Sequence, residues 1–349
     1  GNQISGITPK CLPSCWVLFP LGPSNGQAEL FKRSASRAIT DGNTSYSLEG
    51  ACYGLYSDEQ CTQLVRSATT DADGHATFTD VPAGDYYARE IYPSQGYLLD
   101  EEIYRVTVSS GTTSQVEGSP VEEVPATAPA GAIVQKLDAQ TGGTPQGDAS
   151  LAGAQFTVSY YGNTAGDISG KPLRTWVFTT DETGVAAYSS SQLVSGDELY
   201  ANSQGETVFP LGTYGIQETL APKGYELTDA STHVATVTLE NGIATWKTLG
   251  GWNNGSAVKD VEGRGVNDQI ILGSVHVNKI DHQLKEGSPQ GDATLAGARF
   301  QIRNTSDHPI NVNGTSYDIG EVIEGLELET DSSGNATSEK VLPFGTYEL

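Results

Sequence analysis

The feature that most limits what this chain can fold into is its internal repetition. The segment PQGDASLAGAQF at residues 145–156 returns as PQGDATLAGARF at 289–300, and ahead of these copies GAIVQKLD (131–138) is matched by GSVHVNKID (273–281). A more divergent copy opens with GQAELFK at 26–32 and continues with LEGACYGLY at 48–56. Each copy then carries a Thr-Asp turn followed by Gly-x-Tyr: TDADG (70–74) to GDY (84–86), TDETG (180–184) to GTY (212–214), and TDSSG (330–334) to GTY (345–347). Motifs kept in order at so long a period mean a domain repeated along the chain. The length of 349 residues agrees, since domains of about 100–150 residues would give two or three.

Within each copy, runs such as VATVTL (234–239) and IYRVTV (103–108) alternate apolar with polar residues and are rich in Thr, Val and Tyr, the signature of half-buried strands. No window shows a long, capped 3.6-residue period, so the expectation is all-β: tandem β-sandwiches with at most a helical turn or two, arranged as a rod. The expected divisions are 1–25, a leader or the end of a preceding domain; 26–125, a first sandwich; 126–130, a Pro/Ala/Thr linker that should be extended and semi-stiff; 131–270, a second sandwich; and 271–349, a third copy lacking its final strands. Charge narrows the function. With 43 Asp and Glu against 19 Lys and Arg the net charge is -24, which repels phosphate backbones and anionic lipid and argues against nucleic-acid binding. The longest apolar stretch, residues 15–21, is too short to enter a bilayer as a spanning helix.

The most specific segment is YGIQETLAPKGY at 214–225, with a looser copy, YAREIYPSQGY, at 87–97. Together with a lysine closing the first strand and the LxGAxF segment at 151–156 and 295–300, it resembles the E-box of the Cna-B, or SpaA-type prealbumin-like, domains of Gram-positive pilins and wall-anchored adhesins. The resemblance covers nearly the whole chain from residue 26. It implies a spontaneous isopeptide bond joining a first-strand lysine to an Asn or Asp on the last strand, with the E-box glutamate as catalyst. Such chemistry needs a neutral amine and a protonated carboxylic acid, and burial favours the neutral form of both. In the second copy the implied cross-link is Lys136 to Asn267, with Glu218 catalytic; Asp268 is the competing neighbour, because alternation lets only one of the two side chains point inward. The plain alternative is a surface ion pair between Lys136 and Glu218. In the first copy Lys32 and Glu90 mark a second candidate site, but the stretch 115–124 offers no Asn or Asp as acceptor. In the third, Lys279 marks an incomplete site.

Cys11, Cys15, Cys52 and Cys61 allow three pairings, and local disulfides, Cys11 with Cys15 and Cys52 with Cys61, are expected for an exported protein. No metal site is expected: the histidines lack ligand spacing, and the Asp-x-Asp-Gly at 71–74 reads as a hairpin turn rather than a calcium loop. No cofactor is implied. The resulting expectation is an extracellular, wall-linked stalk or shaft segment whose partners are neighbouring domains or subunits of a surface fibre. Because the implied bond forms once without turnover, the chain is not read as an enzyme. A ligand-binding adhesin that recognises a host protein or glycan through the first domain is the alternative, which an exposed aromatic patch there would favour.

Overall fold

A computed structural model describes residues 25–249, 252, 261 and 263–349. The Thr/Val-rich runs form strands throughout, and among the described residues the single α-helix is the turn Arg37–Thr40. In the second copy a four-stranded sheet, in the order Val185–Ala187, Ala132–Asp138, Gly265–Ile270, Tyr225–Glu226, faces a six-stranded one built of Leu193–Gly196, Arg174–Thr179, Gln155–Tyr161, Gly212–Leu220, Thr232–Glu240 and Ile243–Leu249. Phe156, Val158, Tyr160, Trp176, Tyr214 and Ile216 fill the space between the sheets. Strict alternation holds where one face is solvated, as along Gln155–Tyr161, where every second residue is buried. It is lost along Ala132–Asp138, which is buried over nearly its whole length.

The first copy repeats this plan. Its strand Gly26–Ser34 lies between His75–Val81 and the pair Thr113–Gln115 and Val121–Glu123, while Leu64–Thr69, Cys52–Tyr56, Gly84–Tyr92 and Ile103–Val108 form the other sheet. In both copies the first strand and the last run parallel as direct neighbours. The third copy has shorter strand pairs around a small core of Ile302, Ile310, Val312 and Ile323.

The repeated motifs recur because they tie the same parts together. Thr70, Thr180 and Thr330 each donate their hydroxyl to a carbonyl in the LxGA segment (Leu48, Leu151, Leu295) and accept the amide of its alanine (Ala51, Ala154, Ala298). The aspartate that follows accepts two backbone amides within its own turn, from Thr183 and Val185 in the case of Asp181, so this carboxylate holds the hairpin. The turn glycine accepts the amide of the first-strand lysine through its carbonyl at 2.8, 2.7 and 2.7 Å for Lys32, Lys136 and Lys279. A Cβ at Gly184, whose φ is +77°, would stand 2.5 Å from the Lys136 carbonyl oxygen, so no side chain fits there. The Gly-x-Tyr tyrosines also act alike: Tyr86, Tyr214 and Tyr347 each donate to the proline carbonyl four residues earlier.

One expectation changes at the joins. The segment expected as a linker is docked: Thr127–Pro129 pairs antiparallel with Val208–Pro210, and Ala126 and Ala128 are buried. Tyr46 locks it by donating to the Ala126 carbonyl at 2.7 Å while accepting the Leu211 amide at 2.8 Å. Ile39, Tyr46 and Tyr97 thereby join the apolar cluster of the second copy, and Asn43 donates to the Tyr160 hydroxyl at 2.6 Å. At the other join, Leu272–Gly273 pairs with Leu342–Pro343, the Asp148 amide donates to Phe344, and the Asn311 amide donates to Gln146. The PQGD segment of the second copy is therefore a seam with the third.

The expected Cys52–Cys61 disulfide is also corrected. Cys61 is a free thiol in a partly exposed loop, whereas Cys52 is buried on its strand and engaged elsewhere. Asp58 organises that loop instead, accepting the amides of Thr62 and Gln63. Cys11 and Cys15 lie outside the described residues.

Candidate functional site

Lys136 sits near the end of Ala132–Asp138, with its backbone fixed by the Gly184 carbonyl and its side chain directed into the sandwich, where it is wholly buried. Glu218 comes from Gly212–Leu220 in the opposite sheet, paired across from Phe156 of the LxGAxF motif. The lysine Nζ lies 2.9 Å from Glu218 Oε2 and 2.9 Å from Asp268 Oδ2, and all three side chains are fully inaccessible. The surface ion pair considered as the plain alternative is thus excluded by burial.

Register determines which carboxyl or amide faces the lysine. Gly265–Ile270 runs parallel to the lysine strand with Lys136 opposite Val266 and Asp138 opposite Asp268. Side chains alternate along a strand, so Val266 and Asp268 share the face of Lys136 while Asn267 points the other way and is only half-buried. The expected acceptor Asn267 is corrected on this ground: Asp268 is the residue presented to Lys136. Its second oxygen, Oδ1, is held by the Thr228 amide and hydroxyl at 3.3 and 3.2 Å, which turns Oδ2 toward the lysine.

Taking these groups out of water changes their acidity. Burial, above all, pushes the Glu218 carboxyl up from an ordinary 4.5 to about 7; Lys136 opposes the rise and the neighbouring Asp268 adds to it. Glu218 Oε1 is buried without a hydrogen-bond partner among the described residues. A proton on Glu218 makes the Lys–Glu–Asp triad neutral overall, the state least penalised in a dry interior.

The first copy holds a similar centre. Lys32 Nζ lies 2.8 Å from Glu90 Oε1 and 3.2 Å from Glu123 Oε2, again with every side chain inaccessible. Glu90 is pushed up to about 7, chiefly by burial. Sequence reasoning brought Lys32 and Glu90 together but missed Glu123, because only Asn or Asp was sought there. The signal was present as spacing: Val121-Glu122-Glu123 matches Val266-Asn267-Asp268. Lys279 of the third copy is exposed. Among the described residues no group of His, Cys, Asp and Glu has a metal-binding arrangement, and no helix is long and apolar enough to cross a membrane.

Tandem sandwiches whose first and last strands are parallel neighbours, with a buried lysine between two carboxyl groups, define a class of repeat domain. The chain belongs to the SpaA prealbumin-like fold domain family, whose description matches residues 38–120 and 134–249. No curated protein sequence matches the chain. Solved structures similar to it include the Bacillus anthracis TIE protein, at 22% identity and a TM-score of 0.49 over 93% of this chain and 44% of that one. This chain thus spans less than half the length of that protein. Another is a C-terminal fragment of the pilus adhesin SpaC from Lactobacillus rhamnosus GG, at 17% identity and a TM-score of 0.36 over 70% of this chain and 96% of that one. BcpA, the major pilin subunit of Bacillus cereus, is similar at 12% identity and a TM-score of 0.30 over 93% and 87%.

Proposed function

We propose that this chain is a shaft or stalk segment of a Gram-positive surface fibre or adhesin, extracellular and wall-linked, whose second domain closes itself with an isopeptide bond between Lys136 and Asp268. The observation that carries the reading is the buried lysine held 2.9 Å from both Glu218 and Asp268 on the first and last strands of one sandwich. In the reaction the lysine passes its proton within the triad and attacks Cγ of Asp268 as a neutral amine. Glu218 carries protons from Nζ to the departing Oδ2, the Cγ–Oδ2 bond breaks, and one water leaves. The folded core holds the reactants in contact, which supplies the high effective concentration the uncatalysed reaction lacks. The event happens once per molecule without turnover, so the domain is not an enzyme.

A stalk also suits the aromatic residues. Tyr53, Phe78, Tyr86 and Tyr97 of the first domain are buried, as are Tyr160, Trp176 and Tyr214 of the second; Phe31 and Tyr92 of the first domain are exposed, and Phe31 stacks on His75. The domain divisions 26–125, 131–270 and 271–349 are retained in this reading, with 126–130 as a docked join and neighbouring domains or subunits as partners. Peptide mapping of the denatured, reduced chain tests the bond. The expected result is a branched peptide joining Lys136 to Asp268 with the mass of one water missing. Cleavage by trypsin after Lys136, with only linear peptides, would overturn it.

A further inference from the structure

The first domain places its groups in the register of the second. Gly26–Ser34 runs parallel to Val121–Glu123 with Lys32 opposite Val121 and Ser34 opposite Glu123, just as Lys136 is opposite Val266 and Asp138 opposite Asp268. The residue two past the lysine's partner is Asp268 in one domain and Glu123 in the other. The glutamate is one methylene longer, and the first domain adjusts around it. Where the LxGAxF motif of the second domain has Phe156, the first has Tyr53, which lies opposite Glu90 as Phe156 lies opposite Glu218. The Tyr53 hydroxyl donates to Glu123 Oε1 at 2.6 Å, leaving Oε2 toward Lys32 with no hydrogen-bond partner among the described residues. It therefore does what Thr228 does for Asp268. Glu90 is positioned on its other oxygen by the Asp100 amide at 2.8 Å, and the lysine ammonium lies 5.9 and 5.5 Å from the rings of Tyr53 and Tyr97.

We infer that the first domain forms its own isopeptide bond, from Lys32 Nζ to Cδ of Glu123, with Glu90 as the proton carrier and Tyr53 as a positioning residue. The inference rests on the reading of the second domain but uses an acceptor of a different residue type. The Nζ–Cδ bond forms, the Cδ–Oε2 bond breaks, and Oε2 leaves as water with the two protons that the ammonium gives up. Oε1 stays as the amide oxygen, which Tyr53 already contacts. Burial raises the Glu123 carboxyl above the usual carboxylate range and keeps Tyr53 protonated as a donor.

The test is peptide mapping of the whole chain beside two variants, Glu90→Gln and Asp268→Ala. The expected result is two branched peptides, Lys32–Glu123 and Lys136–Asp268, each lacking one water. Glu90→Gln should lose only the first branch and Asp268→Ala only the second. Finding the Lys136–Asp268 branch while Lys32 is cleaved normally by trypsin would overturn this inference and leave the reading of the second domain intact. Linear peptides at both places would overturn both. Tyr53→Phe should slow the first bond in refolded chains by about tenfold or more, the cost of one hydrogen bond to a charged group, without touching the second.

Discussion

Replacing Glu218 by Gln isolates the proposed chemistry from the packing that supports it. Gln fills the same volume and still offers an oxygen to Lys136, and the Lys136–Asp268 contact at 2.9 Å remains. What is lost is a group able to take and return a proton. The variant should fold without the bond, and its mass should exceed that of the parent by one water beyond the change of residue. The energetic effect follows from the loop that the bond closes, from residue 136 to residue 268. In the loop-closure account a crosslink over this span restricts the unfolded chain by about 5 kcal/mol. For a domain of this size about 1 kcal/mol moves the melting temperature by roughly 2–4 °C, so the second domain should melt about 10–20 °C lower. Intact mass and scanning calorimetry on the same sample check both halves. A variant that still lacks the water would refute the role of Glu218. One that has gained the water but melts within about 2 °C of the parent, well inside the shift expected, would refute the claim that the bond stabilises through the loop.

Other substitutions test the geometry separately. Asp268→Asn should give a cross-linked product of the same mass as the parent, because ammonia leaves in place of water, whereas Asn267→Ala should leave the branch in place; peptide mapping reads both. Glu218 must carry a proton for the reaction, so the rate of bond formation in refolding chains should fall by about tenfold per pH unit above about 7 and level off below it. The same raised pKa affects stability before the bond closes: the contribution is fully present below about 4.5 and is lost as pH rises through about 7. A pH series of denaturant melts on Asp268→Ala, which keeps Glu218 but cannot form the bond, should retain a decline in that direction. Gly184→Ala puts a Cβ 2.5 Å from the Lys136 carbonyl oxygen at a φ of +77°, and should cost about 1–3 kcal/mol by urea melt while slowing the bond.

The lysine, the E-box glutamate and the sandwich architecture were legible because each is written as a repeated motif whose spacing survives in every copy that contains it. The proposed acceptor was harder for a physical reason. Asn267 and Asp268 are adjacent, and which of them faces inward depends on how Gly265–Ile270 registers against Ala132–Asp138, a long-range pairing that residue identity does not specify. Glu123 was missed for a related reason: residue type was given more weight than the offset from the strand partner of the lysine. The join at 126–130 has the composition of a free tether, yet Tyr46 and Val208–Pro210, distant in sequence, hold it down. The Cys52–Cys61 pairing failed because nearness in sequence does not place two side chains on one face; Cys52 is buried on its strand and Cys61 turns out into a loop.

The parallel neighbourhood of first and last strands also sets how far such a chain can be stretched. Once residues 136 and 268 are joined, the intervening segment of roughly 130 residues, worth about 450 Å at ~3.4 Å each, no longer contributes to the contour length. A bond between Lys32 and Glu123 would remove about 300 Å more by the same measure. A fibre of these domains held at both ends would therefore break before it lengthened, behaving as a rope of fixed length where an uncrosslinked sandwich array would pay out as a spring.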